Sequence, residues 1–119
     1  MKYRTRKLVM HGDLNGIGIL FGGRVLEWID EEAYIYSTCQ LGTDQIVTRS
    51  IGYVGFENGA KAGDIVELGI ETVKLGNTSI TLRATVRNMK TKKIITTVDD
   101  IVFVNIKHGK PYPHGKKIG

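Results

Sequence analysis

The amino-acid sequence predicts an α+β domain in which one long apolar helix packs against four or five antiparallel strands. A helical period runs from Gly22 to about Thr38, the period turns extended from Gln45 onwards, and the later strands are joined by short connections. The 119 residues make one domain, 1–119, of a size able to bury a single core. Hydrophobic content of 41% and charged content of 24% are ordinary for a globular protein.

Residues 2–10, KYRTRKLVM, supply a first strand. His11 to Phe21 is a polar, glycine-rich loop that holds Asp13 and Asn15. In the helix that follows, Val25, Ile29, Ala33 and Tyr36 recur at three- and four-residue spacing. Leu26, Trp28 and Ile35 widen the apolar surface, so the helix is expected to lie deep against the sheet. Asp30 is the exception. It shares a face with Leu26 and Tyr34, and a carboxylate there is either paired structurally or placed for chemistry. Gly22-Gly23 opens the helix, where unbonded N–H groups and the positive end of the dipole lie. Lacking Cβ atoms, the pair admits a ligand to the backbone and can hold an anion or oxyanion; the alternative is a tight turn and nothing more.

Leu41 to Gln45, with Gly42 and Asp44, is turn chemistry. Gln45 to Tyr53 reads as a strand continued irregularly through Val54 and Phe56, and Glu57 to Gly63 as a loop. Ile65 to Lys74 alternates as a half-buried strand, Leu75-Gly76-Asn77 turns, and Ser79 to Asn88 returns with Ile80, Leu82, Ala84 and Val86 on one face. After a polar turn at Lys90 to Lys93, Ile94 to Ile106 forms the long final strand. Short connections favour a meander of strands two to five. Residues 107–119, with Pro111 and Pro113, are expected to form an irregular, mobile tail.

Net charge is +5 and pI about 9.4. The cations cluster at Lys2, Arg4, Arg6 and Lys7, at Lys90, Lys92 and Lys93, and at Lys107, Lys110, Lys116 and Lys117. A phosphorylated small molecule and nucleic acid are the candidate partners for such charge. Only Tyr3 and Tyr112 interleave with it, so nucleic acid is not expected. No apolar run approaches the roughly 20 residues needed to span a bilayer, and no signal peptide is read. No membrane partner and a cytoplasmic location are therefore expected. The single Cys39 cannot form an internal disulfide, which fits a reducing compartment, and it reads as a buried or inert thiol. Glu31 and Glu32 read as solvated helix charges, and His11 as a loop hydrogen-bonding residue. No His/Cys/Asp cluster has metal-ligand spacing, so no metal is expected.

The stretch His11-Gly-Asp-Leu-Asn15-x-x-Gly18-x-Leu-Phe21-Gly22-Gly23-x-x-Leu-x-Trp-Ile29-Asp30-Glu31 resembles the signature of the hotdog-fold acyl-CoA thioester hydrolases. That signature has an Asn-x-x-Gly, a Phe-Gly-Gly, and a helix whose second turn ends on Met/Ile-Asp. Phe56, Gly63-Asp64, Lys74-x-Gly76-x-Thr78-Ser79-Ile80 and Gly109-Lys110-Pro111-x-Pro113 extend the resemblance over nearly the whole chain. Gly59 stands where the family commonly has proline. Asn77 replaces a common arginine, a cation able to serve a CoA phosphate.

The resemblance implies a hotdog fold, an antiparallel sheet wrapped around one long central helix. It also implies a cytoplasmic acyl-CoA thioesterase of fatty acid metabolism, releasing free acid and CoA with no cofactor beyond the CoA of its substrate. By the same resemblance Asp30 is the catalytic carboxylate, as general base or nucleophile. Asn15 is its polar partner near the thioester, Gly22 and Gly23 hold the carbonyl oxygen, and Thr48 lies near the water. Lys74, Gly76, Thr78 and Ser79 fall in the CoA-contacting run. The alternative is a non-catalytic acyl-CoA-binding or sensing protein on the same fold.

Helix geometry adds an expectation of its own. Gly23 and Asp30 are seven residues apart, hence about 10 Å along the axis, and the backward lean of the side chain recovers only about 2–3 Å. One thioester carbon cannot lie within about 3 Å of both. If both act, they come from different chains, and the resembled family commonly assembles as dimers or dimer-based tetramers and hexamers.

Overall fold

The computed structural model describes residues 1–117. In chain order its elements are β1 (Lys2–Leu8), α1 (Gly22–Leu41), β2 (Ile46–Ser50), β3 (Val54–Phe56), β4 (Ile65–Leu75), β5 (Ser79–Asn88), β6 (Ile94–Lys107) and β7 (Lys110–Pro111), with a 3-10 turn at His11–Asp13. All strand pairings are antiparallel, in the order β1-β4-β5-β6-β2, and β3 and β7 also pair with β6. The sheet wraps α1, which touches β2, β4, β5 and β6.

The helix buries a single stripe of Val25, Trp28, Ile29, Ala33, Ser37 and Leu41. Facing it are Leu68, Ile80, Leu82, Val86, Val98 and Phe103, all within one core cluster. The helix runs three residues past the expected Thr38, because nothing before Gly42 breaks it and buried Leu41 anchors its last turn. Gly42 then takes the left-handed conformation (φ 69°) and donates its N–H to the Thr38 carbonyl, closing the helix. Cys39, expected to be buried or inert, lies exposed on the outer side of that last turn.

Three expectations change. Strands β4, β5 and β6 form a meander, but β2 lies beyond β6 instead of beside β4. The loop 57–64 is long enough to carry the chain past the start of the helix, where Leu20 donates to the Ala60 carbonyl (2.7 Å) and Val9 to Asp64 (2.9 Å). The strand expected over Gln45 to Tyr53 stops at Ser50. Asp99-Asp100 bulges out of β6 there, with Asp100 at φ 56°, and a Cβ on Gly52 would stand 2.8 Å from the Asp99 carbonyl. Finally, the expected loose tail is tied down through His114. Tyr112 and Asn105 exchange two hydrogen bonds of 2.9 Å. The His114 N–H donates to the Asn77 carbonyl (3.2 Å), and its Nε2 lies 3.0 Å from the Ser79 carbonyl. Residues 118 and 119 of that tail lie outside the described residues.

Candidate active site

The loop before the helix is built by two short side chains. The Asn15 Oδ1 accepts from the N–H groups of Ile17 (3.0 Å) and Ile19 (3.1 Å), closing a tight turn that places Gly18 at φ 80°. The Asp13 Oδ2 accepts from the Met10 N–H (2.9 Å), its Oδ1 lies 3.3 Å from Arg24 Nε, and its carbonyl accepts from Phe21 (2.8 Å). Asn15 therefore fixes the loop through its oxygen. Its Nδ2 donates to no partner among the described residues and stays available.

The loop delivers the chain to an uncapped helix terminus. No side chain caps Phe21, and the first bonded amides are those of Arg24 (3.0 Å) and Val25 (3.2 Å), both to the Phe21 carbonyl. The Gly22 and Gly23 N–H groups are left over. Aromatic rings flank both glycines: a Cβ on Gly22 would stand 3.1 Å from the Phe56 ring, and one on Gly23 2.6 Å from the Phe21 ring. Gly22 lines a cleft of about 430 Å³ with Leu20, Val25 and Phe56. Gly23 lines a second, also about 430 Å³, with Leu14, Phe21 and Arg24.

Asp30 sits in a different environment. Its Oδ1 accepts a 2.9 Å hydrogen bond from the Thr48 hydroxyl, reaching from the helix to the edge strand β2. The two residues line a third cleft, about 360 Å³, with Glu31, Tyr34 and Ile35. The face shared with Leu26 and Tyr34 is not the core face: Asp30 and Leu26 are half-buried, and Tyr34 is exposed. The carboxylate therefore stands at a rim, open to a ligand. Within one chain the clefts at Gly22 and Gly23 and the cleft at Asp30 and Thr48 have separate linings among the described residues, and the seven-residue spacing from Gly23 to Asp30 holds them apart along the axis.

The Lys74–Ser79 run forms the β4–β5 turn. The Gly76 N–H donates to the Ser79 carbonyl (2.9 Å), and a Cβ on Gly76 would overlap the Ser79 hydroxyl. The Thr78 carbonyl accepts from Asn105 (2.8 Å), while Lys74 is exposed. Ser79 pairs with Val104 on β6, next to Phe103, the partner of Thr48. The turn thus belongs to the Asp30 end of the sheet.

Two features of these clefts carried no sequence signal. The Tyr34 hydroxyl donates to the Asp44 carbonyl (2.7 Å), and its ring meets Phe103 edge-on (centroids 6.2 Å apart), fixing one wall of the Asp30 cleft. Thr96, a β-branched residue in a β-branched strand, is fully buried at the Gly22 cleft. No group of three or more His, Cys, Asp or Glu side chains converges among the described residues. Among the described residues no helix is long and apolar enough to cross a membrane.

An antiparallel sheet curled around one helix is the hotdog fold, and here the helix opens on two glycines and carries a carboxylate about two turns further on. Residues 17–95 match the thioesterase superfamily, and the chain belongs to that family. It is 31% identical over 82 residues to an uncharacterised acyl-CoA thioester hydrolase of Buchnera aphidicola subsp. Baizongia pistaciae, an alignment covering 69% of this chain and 60% of that protein. The chain thus spans less than two thirds of that relative's length. Among solved structures it resembles an apo-hexameric acyl-CoA thioesterase (32% identity, TM-score 0.82), over 92% of this chain and 72% of that one. It also resembles a hexameric hotdog-fold thioesterase of Campylobacter jejuni (25% identity, TM-score 0.81), over 95% and 90% of the two chains.

Proposed function

We propose that the protein hydrolyses acyl-CoA thioesters to free carboxylic acid and CoA, with Asp30 as the catalytic carboxylate. The observation that carries this reading is the state of Asp30, a carboxylate on a thioesterase fold held by one neutral hydroxyl and facing an open cleft. Such a group either takes a proton from water as it attacks the thioester carbon or attacks that carbon itself. In the first case the C–S bond breaks and the CoA sulfur leaves with the proton that Asp30 took from water. In the second the CoA thiolate leaves, and water then cleaves the acyl anhydride on Asp30, giving the free acid and the proton the thiolate takes up. Thr48 orients the carboxylate, and its hydroxyl lies beside the path of the water.

The negative charge that develops on the carbonyl oxygen needs donors, and the Gly22 and Gly23 N–H groups with the Asn15 amide suit that role. They belong to a second copy of the chain in this reading, because the helix separates them from Asp30 of their own copy. Self-association is thus part of the mechanism, and the hexameric state of the resembled thioesterases supports it. Lys74, Gly76, Thr78 and Ser79 receive the nucleotide end of CoA. Base and oxyanion donors are both protein groups, so the reaction as written requires no metal or further cofactor. A cytoplasmic setting in fatty acid metabolism suits such a substrate.

Thiol release from a panel of acyl-CoAs, by the wild type and by Asp30→Asn, tests the reading. Release by the wild type and its loss in the variant are expected. Acyl-CoA binding without release would favour the sensing alternative.

A further inference from the structure

The apolar cleft beside Gly22 has a wall that the bond-breaking chemistry does not explain. It is formed by Ile19, from the loop before the helix, and Gly59, from the loop after β3. The Ile19 backbone is pinned. Its carbonyl accepts from the Asn15 N–H (2.7 Å), and its own N–H donates to Asn15 Oδ1 (3.1 Å). The next amide, that of Leu20, donates to the Ala60 carbonyl (2.7 Å). Ile19 is thus held between the Asn15 turn and the residue after Gly59, with its side chain 39% exposed and lining the cleft. Gly59 is not demanded by its own backbone, which lies outside the left-handed region that Gly18 and Gly63 adopt. A residue with a side chain would suit that conformation and lose less entropy on folding. What glycine supplies there is room. A Cβ on Gly59 would stand 2.9 Å from Ile19 Cγ2. Because the Ile19 backbone is fixed, only its side chain could give way, and that side chain sets the width of the cleft.

We infer that the Gly22 cleft receives the acyl chain, and that the Ile19–Gly59 contact favours straight chains over chains branched beside the thioester. The inference rests on the thioester reading above. A carbonyl oxygen held by the Gly22 N–H leaves the acyl carbons next to Leu20, Val25 and Phe56, which line the same cleft. Those walls are apolar, whereas Arg24 and Glu27 line the cleft at Gly23, so a hydrocarbon chain is driven into the former. Ile19 is bonded through its backbone to Asn15, the residue assigned to the thioester carbonyl. It therefore stands at the thioester end of the cleft. A branch at the α or β carbon meets Ile19 there, and a branch further along the chain lies beyond it.

The test uses pairs of acyl-CoAs of equal carbon number, one straight and one branched at the α or β carbon. Calorimetric affinities are measured for analogues in which a methylene replaces the thioester sulfur, alongside kcat/KM for the thioesters themselves. The wild type should favour the straight member about tenfold, Ile19→Ala should bring the ratio close to one, and Gly59→Ala should raise it about fivefold further. In the double variant the ratio should stay near that of Ile19→Ala, since the added methyl no longer has Cγ2 to push. A wild type indifferent to such branching, a ratio unmoved in Ile19→Ala, or binding of neither analogue would each overturn the inference. The two single variants move the ratio in opposite directions, so a loss of stability cannot imitate the result. Preference in affinity without turnover would sink the hydrolase reading and leave the selection by Ile19 and Gly59 standing; turnover without preference does the reverse.

Discussion

Glu67 and Asp30 are both carboxylates drawn out of full solvent, one on the sheet and one on the helix, and their surroundings differ sharply. The Glu67 side chain is 4% exposed and lies among cations: Arg87 Nε at 2.7 Å, Lys92 Nζ at 3.1 Å and Arg6 Nε at 3.9 Å. Arg87 is itself held over the Tyr3 ring, 3.6 Å from its centroid. Burial alone would raise the Glu67 pKa, but the hydrogen bonds and charges of Arg87 and Lys92 outweigh it and hold the group below its ordinary 4.5. Asp30 has one neutral hydroxyl and, among the described residues, no ion pair. An acid that serves the fold is neutralised where it is buried. An acid kept half-buried with a single orienting partner, facing a cleft, is available for chemistry.

The largest expected effect is on the helix. Asp30→Asn should lower turnover at least about 100-fold, as loss of a general base or nucleophile does, while stability moves by less than about 1 kcal/mol. Comparable turnover in the folded variant would erase the contrast between the two acids. Glu67→Gln should do the opposite, leaving turnover intact and costing about 2 kcal/mol, a figure discounted for the partly exposed Arg87 and Lys92. Because the folded-state pKa of Glu67 is depressed, its contribution is present above the unfolded value near 4.5 and is lost as pH falls through the folded value. Denaturant titrations should therefore show the wild type and Glu67→Gln well separated at neutral pH and converging in acid. A gap that persists in acid would mean that Glu67 is not held by its cations.

Two smaller effects sharpen the description of the Asp30 end. Thr48→Val removes the one hydrogen bond that the Asp30 carboxylate accepts among the described residues and should reduce kcat about fivefold with little change in KM. A pure KM effect would move Thr48 from orienting the carboxylate to contacting substrate. Salt should raise KM for acyl-CoA about threefold across the physiological range and beyond, and leave short thioesters lacking the nucleotide almost unmoved. An equal salt response would remove Lys74 and its turn from CoA binding.

Much of this was legible in the chain because the signals are local. The helix, the β4–β5 hairpin and the long β6 follow from period and turn residues, and the Asn15 to Asp30 stretch was read from its resemblance to the acyl-CoA thioester hydrolase signature. What was illegible depends on distant partners. Glu67 reads as one polar position in an alternating strand, since Arg87 and Lys92 follow 20 and 25 residues later. The break at Gly52 is imposed by the Asp99-Asp100 bulge on another strand, and the tail is anchored by carbonyls of the β4–β5 turn. The face carrying Asp30 reads as apolar from Leu26 and Tyr34. The buried stripe beside it was legible, since Val25, Ile29 and Ala33 recur at helical spacing; only the packed helix shows that the Asp30 face lies at the rim of that stripe.

The central claim is that one active site takes Asp30 from one chain and the helix terminus with Asn15 from another. Asn15→Ala and Asp30→Ala, prepared separately, should each be nearly inactive. Mixed under conditions that exchange subunits, a two-fold dimer bearing one of each has one site with both groups intact and one with neither. Random pairing makes about half of the dimers mixed, so activity should recover to about a quarter of wild type. Flat activity, with exchange established by mass, would mean that each site is built within one chain and would contradict the account.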